Sequence, residues 1–209
     1  MKASVQGQGG SNVVQNPGSN VVVFPNRLNI LYRGVENPLS VCAPRYRPSE
    51  LILSMTNGTI NRKGDDQFIA MPGSGNTSVV TVRGQSGRRL GKVKFRVRDV
   101  PSPRITLGGY TRADSSISQS ALGSVGKVSM DQGNFLFPAQ FSIVQFEIGA
   151  RVGGQFPTEM KRGGGRLSRR QKRLLDNVGR GSRVEVREII VRDPNGKERH
   201  VESLTLRVR

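Results

Sequence analysis

The chain has 209 residues, room for one large domain or two small ones, with 34% hydrophobic residues, 5% aromatics and no tryptophan. That is too lean for one thick core and suits two thin β layers, whose many reversals the 26 glycines and 11 prolines can supply. The net charge of +18 is spread evenly, 14 Lys/Arg against 5 Asp/Glu in residues 1–100 and 19 against 10 in residues 101–209, which excludes a basic tail on a neutral body.

Residues 1–20 are rich in Gly, Gln, Asn and Ser and read as a flexible lead-in. Short β-prone runs follow at 21–24, 28–32, 38–42, 51–55, 67–71, 78–83 and 92–98. Breakers such as Thr56-Asn57-Gly58-Thr59 separate them. Regularly spaced short strands predict an Ig-like β-sandwich domain over 21–99. Its last strand alternates cleanly, with Val93, Phe95 and Val97 on one face and Lys92, Lys94, Arg96 and Arg98 on the other. Cys42 ends the apolar run Leu39-Ser40-Val41-Cys42 and is expected to be a small core residue.

Pro101 and Pro103 remove two backbone donors and stiffen the chain, so residues 100–103 are expected to be a proline-containing linker. The remainder, 104–209, is expected to be a C-terminal β domain. It opens loosely through a Ser-rich stretch at 114–120. An apolar block then supplies Phe135, Phe137, Phe141 and Ile143, followed after a phase change by Val144, Phe146 and Ile148 as core. One helix is signalled at 169–178: Ser168 is an N-cap, Gln171 completes a capping box, Leu174, Leu175 and Val178 form an apolar stripe, and Gly179 stops it. A hairpin over 183–209 turns at Asp193-Pro194-Asn195-Gly196. The whole is mainly β: two consecutive β-sandwich-like domains, the second with one short α-helix.

A catalytic inventory is missing. His200 is the single histidine and has no Cys or second His at ligand spacing, so no metal site, cofactor or triad is expected. Gly163-Gly164-Gly165 precedes the helix but lacks the Gly-Lys-Ser/Thr ending of a phosphate loop, and no strand is evident ahead of it. An enzyme is therefore not expected. No run approaches the roughly 18 apolar residues of a membrane span.

What stands out is charge. Lys161, Arg162, Arg166, Arg169, Arg170, Lys172 and Arg173 place seven cations in 13 residues with no acid among them. Like charges one helical turn apart, Arg169 with Arg173 and Arg166 with Arg170, repel by roughly a few tenths of a kcal/mol per pair. These seven are the candidate partner-binding residues. The plain reading of such a run is a basic surface with no partner; the functional reading is a surface for an acidic protein. The alternative is a basic all-β nucleic-acid-binding protein, disfavoured because the segment lacks stacking aromatics and every recognised nucleic-acid motif.

Three stretches in order resemble the GldM/PorM family. Tyr32-Arg33-Gly34-Val35-Glu36-Asn37-Pro38 is similar to the entry to its penultimate domain, and Phe95 through Pro103 is similar to its interdomain linker. The stretch from Leu167 to Arg199, ending in Asp193-Pro194-Asn195-Gly196-Lys197-Glu198-Arg199, resembles its C-terminal end. The turn Cys42-Ala43-Pro44 departs from the Pro-Gly type that the family leads one to expect.

The resemblance implies a type IX secretion and gliding-motility core component: a periplasmic, homodimeric rod anchored in the inner membrane. It implies binding to GldK/PorK and GldN/PorN-type ring proteins at the distal end. Contact with a GldL/PorL-type inner-membrane protein would run through an N-terminal part. The present chain would then be the C-terminal two-domain piece, without the anchor, and Met1 an introduced start. The family offers no catalytic residues and no cofactor.

Overall fold

The computed structural model describes residues 22–25, backbone only, and residues 29–209 with their side chains. The expected lead-in at 1–20, and Val21 and Leu28 of two expected strands, lie outside the described residues. The chain divides into two compact units, the first ending at Asp99 and the second beginning at Val100. The architecture is mainly β, in several sheets.

Among the described residues the first unit has eight strands: β1 (Val22–Pro25), β2 (Ile30–Tyr32), β3 (Asn37–Cys42), β4 (Leu51–Met55), β5 (Gly58–Arg62), β6 (Gln67–Pro72), β7 (Thr77–Gly84) and β8 (Arg89–Arg98). They form two four-stranded sheets, ordered β1-β3-β6-β5 and β2-β8-β7-β4. All pairs are antiparallel except β2 with β8. Alternation explains the core: Leu39 and Val41, Phe68 and Ala70, Val80 and Val82, and Val93, Phe95 and Val97 point inward from successive strands. Each large apolar side chain so buried contributes about 1.5–3 kcal/mol. Lys92, Lys94, Arg96 and Arg98 face water, as the period-2 pattern requires.

Two expectations fail here for one reason, that strand phase outranks local composition. Cys42 is exposed, not core, because Leu39 and Val41 take the inward positions of β3 and leave Cys42 outward. Strand β5 occupies Gly58 and Thr59, which read as breaker residues; Thr56 and Asn57 instead carry the chain from one sheet to the other. Gly58 is indispensable there, since φ is +112° and an added Cβ would stand 2.1 Å from the Met71 carbonyl oxygen.

Polar side chains fasten the loops of this unit. Asn37, 2% exposed, accepts from the Tyr32 amide at 2.7 Å and donates to the carbonyls of Tyr32 and Val35, each at 2.8 Å, and of Ala70 at 3.1 Å. The guanidinium of Arg33 donates to the carbonyls of Gly73, Ser74 and Gly75 and to Asp99 at 2.7 Å. The Tyr-Arg-Gly-x-x-Asn-Pro stretch is therefore a clamp, with Gly34 at φ +73° making its bend.

The second unit is built on one larger sheet. It comprises β9 (Arg104–Leu107), β10 (Ser116–Ile117), β11 (Val128–Asp131), β12 (Ser142–Ala150), β13 (Thr158–Arg162), β14 (Arg183–Arg192), β15 (Glu198–His200) and β16 (Leu204–Val208). The main sheet runs β10-β16-β14-β12-β13, with β15 also paired to β14, and β9 with β11 forms a separate ribbon. Two helices, α1 (Gln119–Gly123) and α2 (Arg169–Asp176), complete the unit. One core joins Leu107 of β9, Leu122 of α1, Leu175 of α2, Phe146 of β12, Val186 of β14 and Leu206 of β16.

Helix α1 and strand β10 occupy the Ser-rich stretch that reads as loose, because Ser118 caps α1 through its hydroxyl and Leu122 anchors it in the core. The expected phase change in β12 is present: Ile143, Phe146 and Ile148 are buried, and the β12/β14 register shifts between Ile143 and Gln145 and again before Glu147. Phe135 and Phe137 are not core. They lie half-buried in the β11–β12 loop with ring centroids 5.5 Å apart, while Leu136 between them is 55% exposed. Pro138 interrupts that segment before β12 starts, so its aromatics never join the ladder.

The β14–β15 turn matches its sequence. Gly196 has φ +81° and its amide donates to the Asp193 carbonyl at 2.8 Å. The Asp193 carboxylate is buried and accepts from the amides of Asn195 and Lys197 at 2.8 and 2.9 Å and from Arg199 Nε at 2.7 Å. Arg199 Nη2 also donates to it, and Nη1 donates to the Val100 carbonyl at 2.8 Å.

Candidate functional site

The seven candidate cations occupy β13, the loop after it and α2. Strand β13 is an edge strand, paired only with β12, in a register that sets Lys161 opposite Phe146. Helix α2 is locked at its start: the Ser168 hydroxyl accepts from the Gln171 amide at 3.1 Å and Gln171 Oε1 accepts from the Ser168 amide at 2.9 Å. Gln171 is fully buried, and its Nε2 donates to the Glu159 carbonyl on β13 at 2.9 Å. One side chain thus caps the helix and ties it to the sheet edge. Leu175 and Val178 bury the inner face. The helix ends at Asp176 with Asn177 as cap rather than by a left-handed Gly179.

That packing leaves Arg169, Arg170, Lys172 and Arg173 exposed, together with Arg162 and Arg166 in front of the helix. Lys161 is half-buried and turns its ammonium to the carbonyls of Arg162 and Gly163. Arg169 and Arg170 stand in the first turn, at the positive end of the helix dipole, where cations are disfavoured. Arg166 precedes the helix, so the expected one-turn repulsion between Arg166 and Arg170 does not apply; Arg169 with Arg173 remains.

Among the described residues none of the seven forms an ion pair. Five of the ten acids of this unit are paired elsewhere: Glu147 to Arg187, Glu185 to Arg183, Asp193 to Arg199, Glu198 to Arg192 and Glu202 to Arg112. Glu147 beside Arg187 raises that guanidinium above its already high range. Glu159 and Asp176, which flank the strip in sequence, make no ion pair with it.

The glycine loop is not a phosphate cradle. Strand β13 does lead into it, contrary to the reading of the sequence, but two of its three glycine amides are spent: Gly163 donates to the Val144 carbonyl at 2.7 Å and Gly164 to the Ile143 carbonyl at 3.0 Å. His200 ends β15 as an exposed strand residue. It borders a shallow recess of about 660 Å³ with Arg104, Thr111 and Glu202, where the nearest acid is already paired with Arg112. Among the described residues no cluster of His, Cys, Asp or Glu could hold a metal, and no helix is long and apolar enough to cross a membrane.

One cation escaped the sequence reading. Lys127, just before β11, forms an isolated antiparallel bridge with Arg166. Nothing local in the sequence signals it, because the two residues meet only through long-range pairing.

A solved structure described as a cytokine receptor complex (crystal form 1A) is similar at 12% identity over 90% of this chain and 95% of that one, with a TM-score of 0.28 that carries no argument. Comparison with curated protein sequences finds no match. Two family profiles match in consecutive order, the GldM third domain over residues 20–98 and the GldM C-terminal domain over residues 100–209. The chain therefore belongs to the GldM family, structural components of the gliding and type IX secretion machinery.

Proposed function

We propose that the chain is the distal, partner-binding end of a periplasmic rod, a homodimer that transmits force by docking on GldK/PorK- and GldN/PorN-type ring proteins. Contact with a GldL/PorL-type protein is assigned to an N-terminal part outside this chain. One observation carries the docking surface: six exposed cations and Lys161 have no ion-pair partner among the described residues, and they follow one another along β13, its loop and a helix fixed to that sheet edge by Gln171. Such a surface attracts an acidic partner, and its backbone needs no ordering on binding.

The test is capture of purified ring proteins by the chain at low and moderate salt. The triple reversal Arg169→Glu, Arg170→Glu, Arg173→Glu is expected to weaken capture at least about tenfold while the circular dichroism spectrum is kept. Unchanged capture removes this surface from the reading. No capture of any ring protein at low salt removes the reading itself. Light scattering on the purified chain checks the dimer.

A further inference from the structure

Lys127 and Arg166 are the starting point. They face one another across an antiparallel bridge, held by the Val128 amide on the Gly165 carbonyl at 2.8 Å and the Leu167 amide on the Gly126 carbonyl at 3.0 Å. Directly opposed residues in such a pair project to the same face, and like charges placed so destabilise it. Both side chains are exposed, and neither has an acidic partner among the described residues. The backbone approach is forced: an added Cβ at Gly165 would lie 2.2 Å from the Val128 carbonyl oxygen. The backbone positions of the two cations are therefore fixed in opposition by the main chain.

A recess opens on each side of this rung. One, of about 760 Å³, is bordered by Tyr110, Ala121 and Lys172 as well as by Lys127 and Arg166. The other, of about 730 Å³, is bordered by Met130, Gln140, Phe141 and Ile143 and again by Lys127 and Arg166. Neither is bordered by an acid. The two share the rung, a cationic waist between a mainly apolar recess at Phe141 and a mixed one that also holds Lys172, and the pair is termed the groove. At the waist the chain is thinly covered, since the positions where Gly126 and Gly164 would carry a Cβ open into free space.

We infer that this groove binds an extended acidic segment of a protein partner, its carboxylates on Lys127, Arg166 and Lys172 and its apolar side chains in the two recesses. The inference rests on the docking surface proposed above and names the chemistry of what docks there. Charge complementarity selects the occupant: three cations with no acid bordering either recess favour carboxylates. Nucleic acid fits less well. Tyr110 and Phe141 pack partly against the core, and the segment from Arg166 to Arg173 holds no ring on which a base could stack.

The test uses the full chain and a short fluorescein-labelled peptide alternating Glu with Val, read by fluorescence anisotropy at low salt. Binding is expected, with Lys127→Glu and Arg166→Glu each weakening it at least about tenfold. The same reversal at Arg180, exposed and outside both recesses and the docking surface, is expected to change it less than about twofold, and a peptide with Gln for Glu is expected not to bind. Both substituted side chains are exposed, so the fold survives, checked by an unchanged amide NMR spectrum away from the groove. Absence of peptide binding overturns the inference, as does equal weakening by Arg180→Glu, which would reveal only a diffuse field. Tighter binding of an oligothymidylate through the same residues also overturns it. Ring-protein capture separates the two ideas. Capture indifferent to Lys127→Glu and Arg166→Glu sinks the groove and leaves the docking reading standing. Peptide binding without any ring capture supports the groove and sinks that reading.

Discussion

In the first unit a neutral amide, Asn37, holds the bend that feeds β3; in the second a buried ion pair, Asp193 with Arg199, holds the turn between β14 and β15. Both sit at ends of core strands, and both satisfy several main-chain groups at once. They differ in what a loss leaves behind. Without Asn37, carbonyls and one amide lose partners but no charge is stranded. Without Arg199, a carboxylate that is 1% exposed stays in the interior with only two amides for company. The lesson is that similar geometry can hide unequal fragility.

Three substitutions probe that contrast, the severest first. Arg199→Ala is expected to cost about 3–5 kcal/mol of stability in urea unfolding, the range for removing one partner of a buried pair. A loss under about 1 kcal/mol would mean that water reaches Asp193 readily. Asn37→Ala is expected to cost about 1–3 kcal/mol, the penalty of unsatisfied buried polar groups. Equal losses at the two sites would erase the distinction between charge and amide.

The mildest case is an exposed fastening, Asp114, whose carboxylate accepts from the Thr111 amide at 2.6 Å and hydroxyl at 2.9 Å. The Thr111 amide, then its hydroxyl, holds the Asp114 carboxyl below the ordinary aspartate value. A depressed carboxyl stabilises the fold above the unfolded value, and that contribution fades as pH falls through the lowered one. An NMR titration is expected to show Asp114 ionising at lower pH than a free aspartate, and Thr111→Val should move it back up.

Much of this was readable in the chain itself, for reasons specific to each element. β8 could be assigned to faces because strict alternation over Lys92 to Arg98 leaves one solution. Helix α2 declared itself through Ser168 and Gln171, and the β14–β15 turn through Pro194 and Gly196. These are local signals, decided within a few residues. The failures were matters of phase or partnership. Cys42 sits in an apolar run whose inward places were already taken by its neighbours. Phe135 and Phe137 look like core by composition, yet Pro138 keeps them out of the β12 ladder. Of the candidate surface, the seven cations of 161–173 were visible as a run. Their opposite number, Lys127, was not, because its position depends on a bridge between segments almost 40 residues apart.

Gln171 carries a final implication. Because the same amide both caps α2 and grips the backbone of β13, the helix cannot fray at its first turn without also releasing the sheet edge. The backbone positions that carry the helix cations are therefore set whether or not anything is bound. A partner has only their side chains left to order, so its affinity should depend on how well its own charges match that spacing.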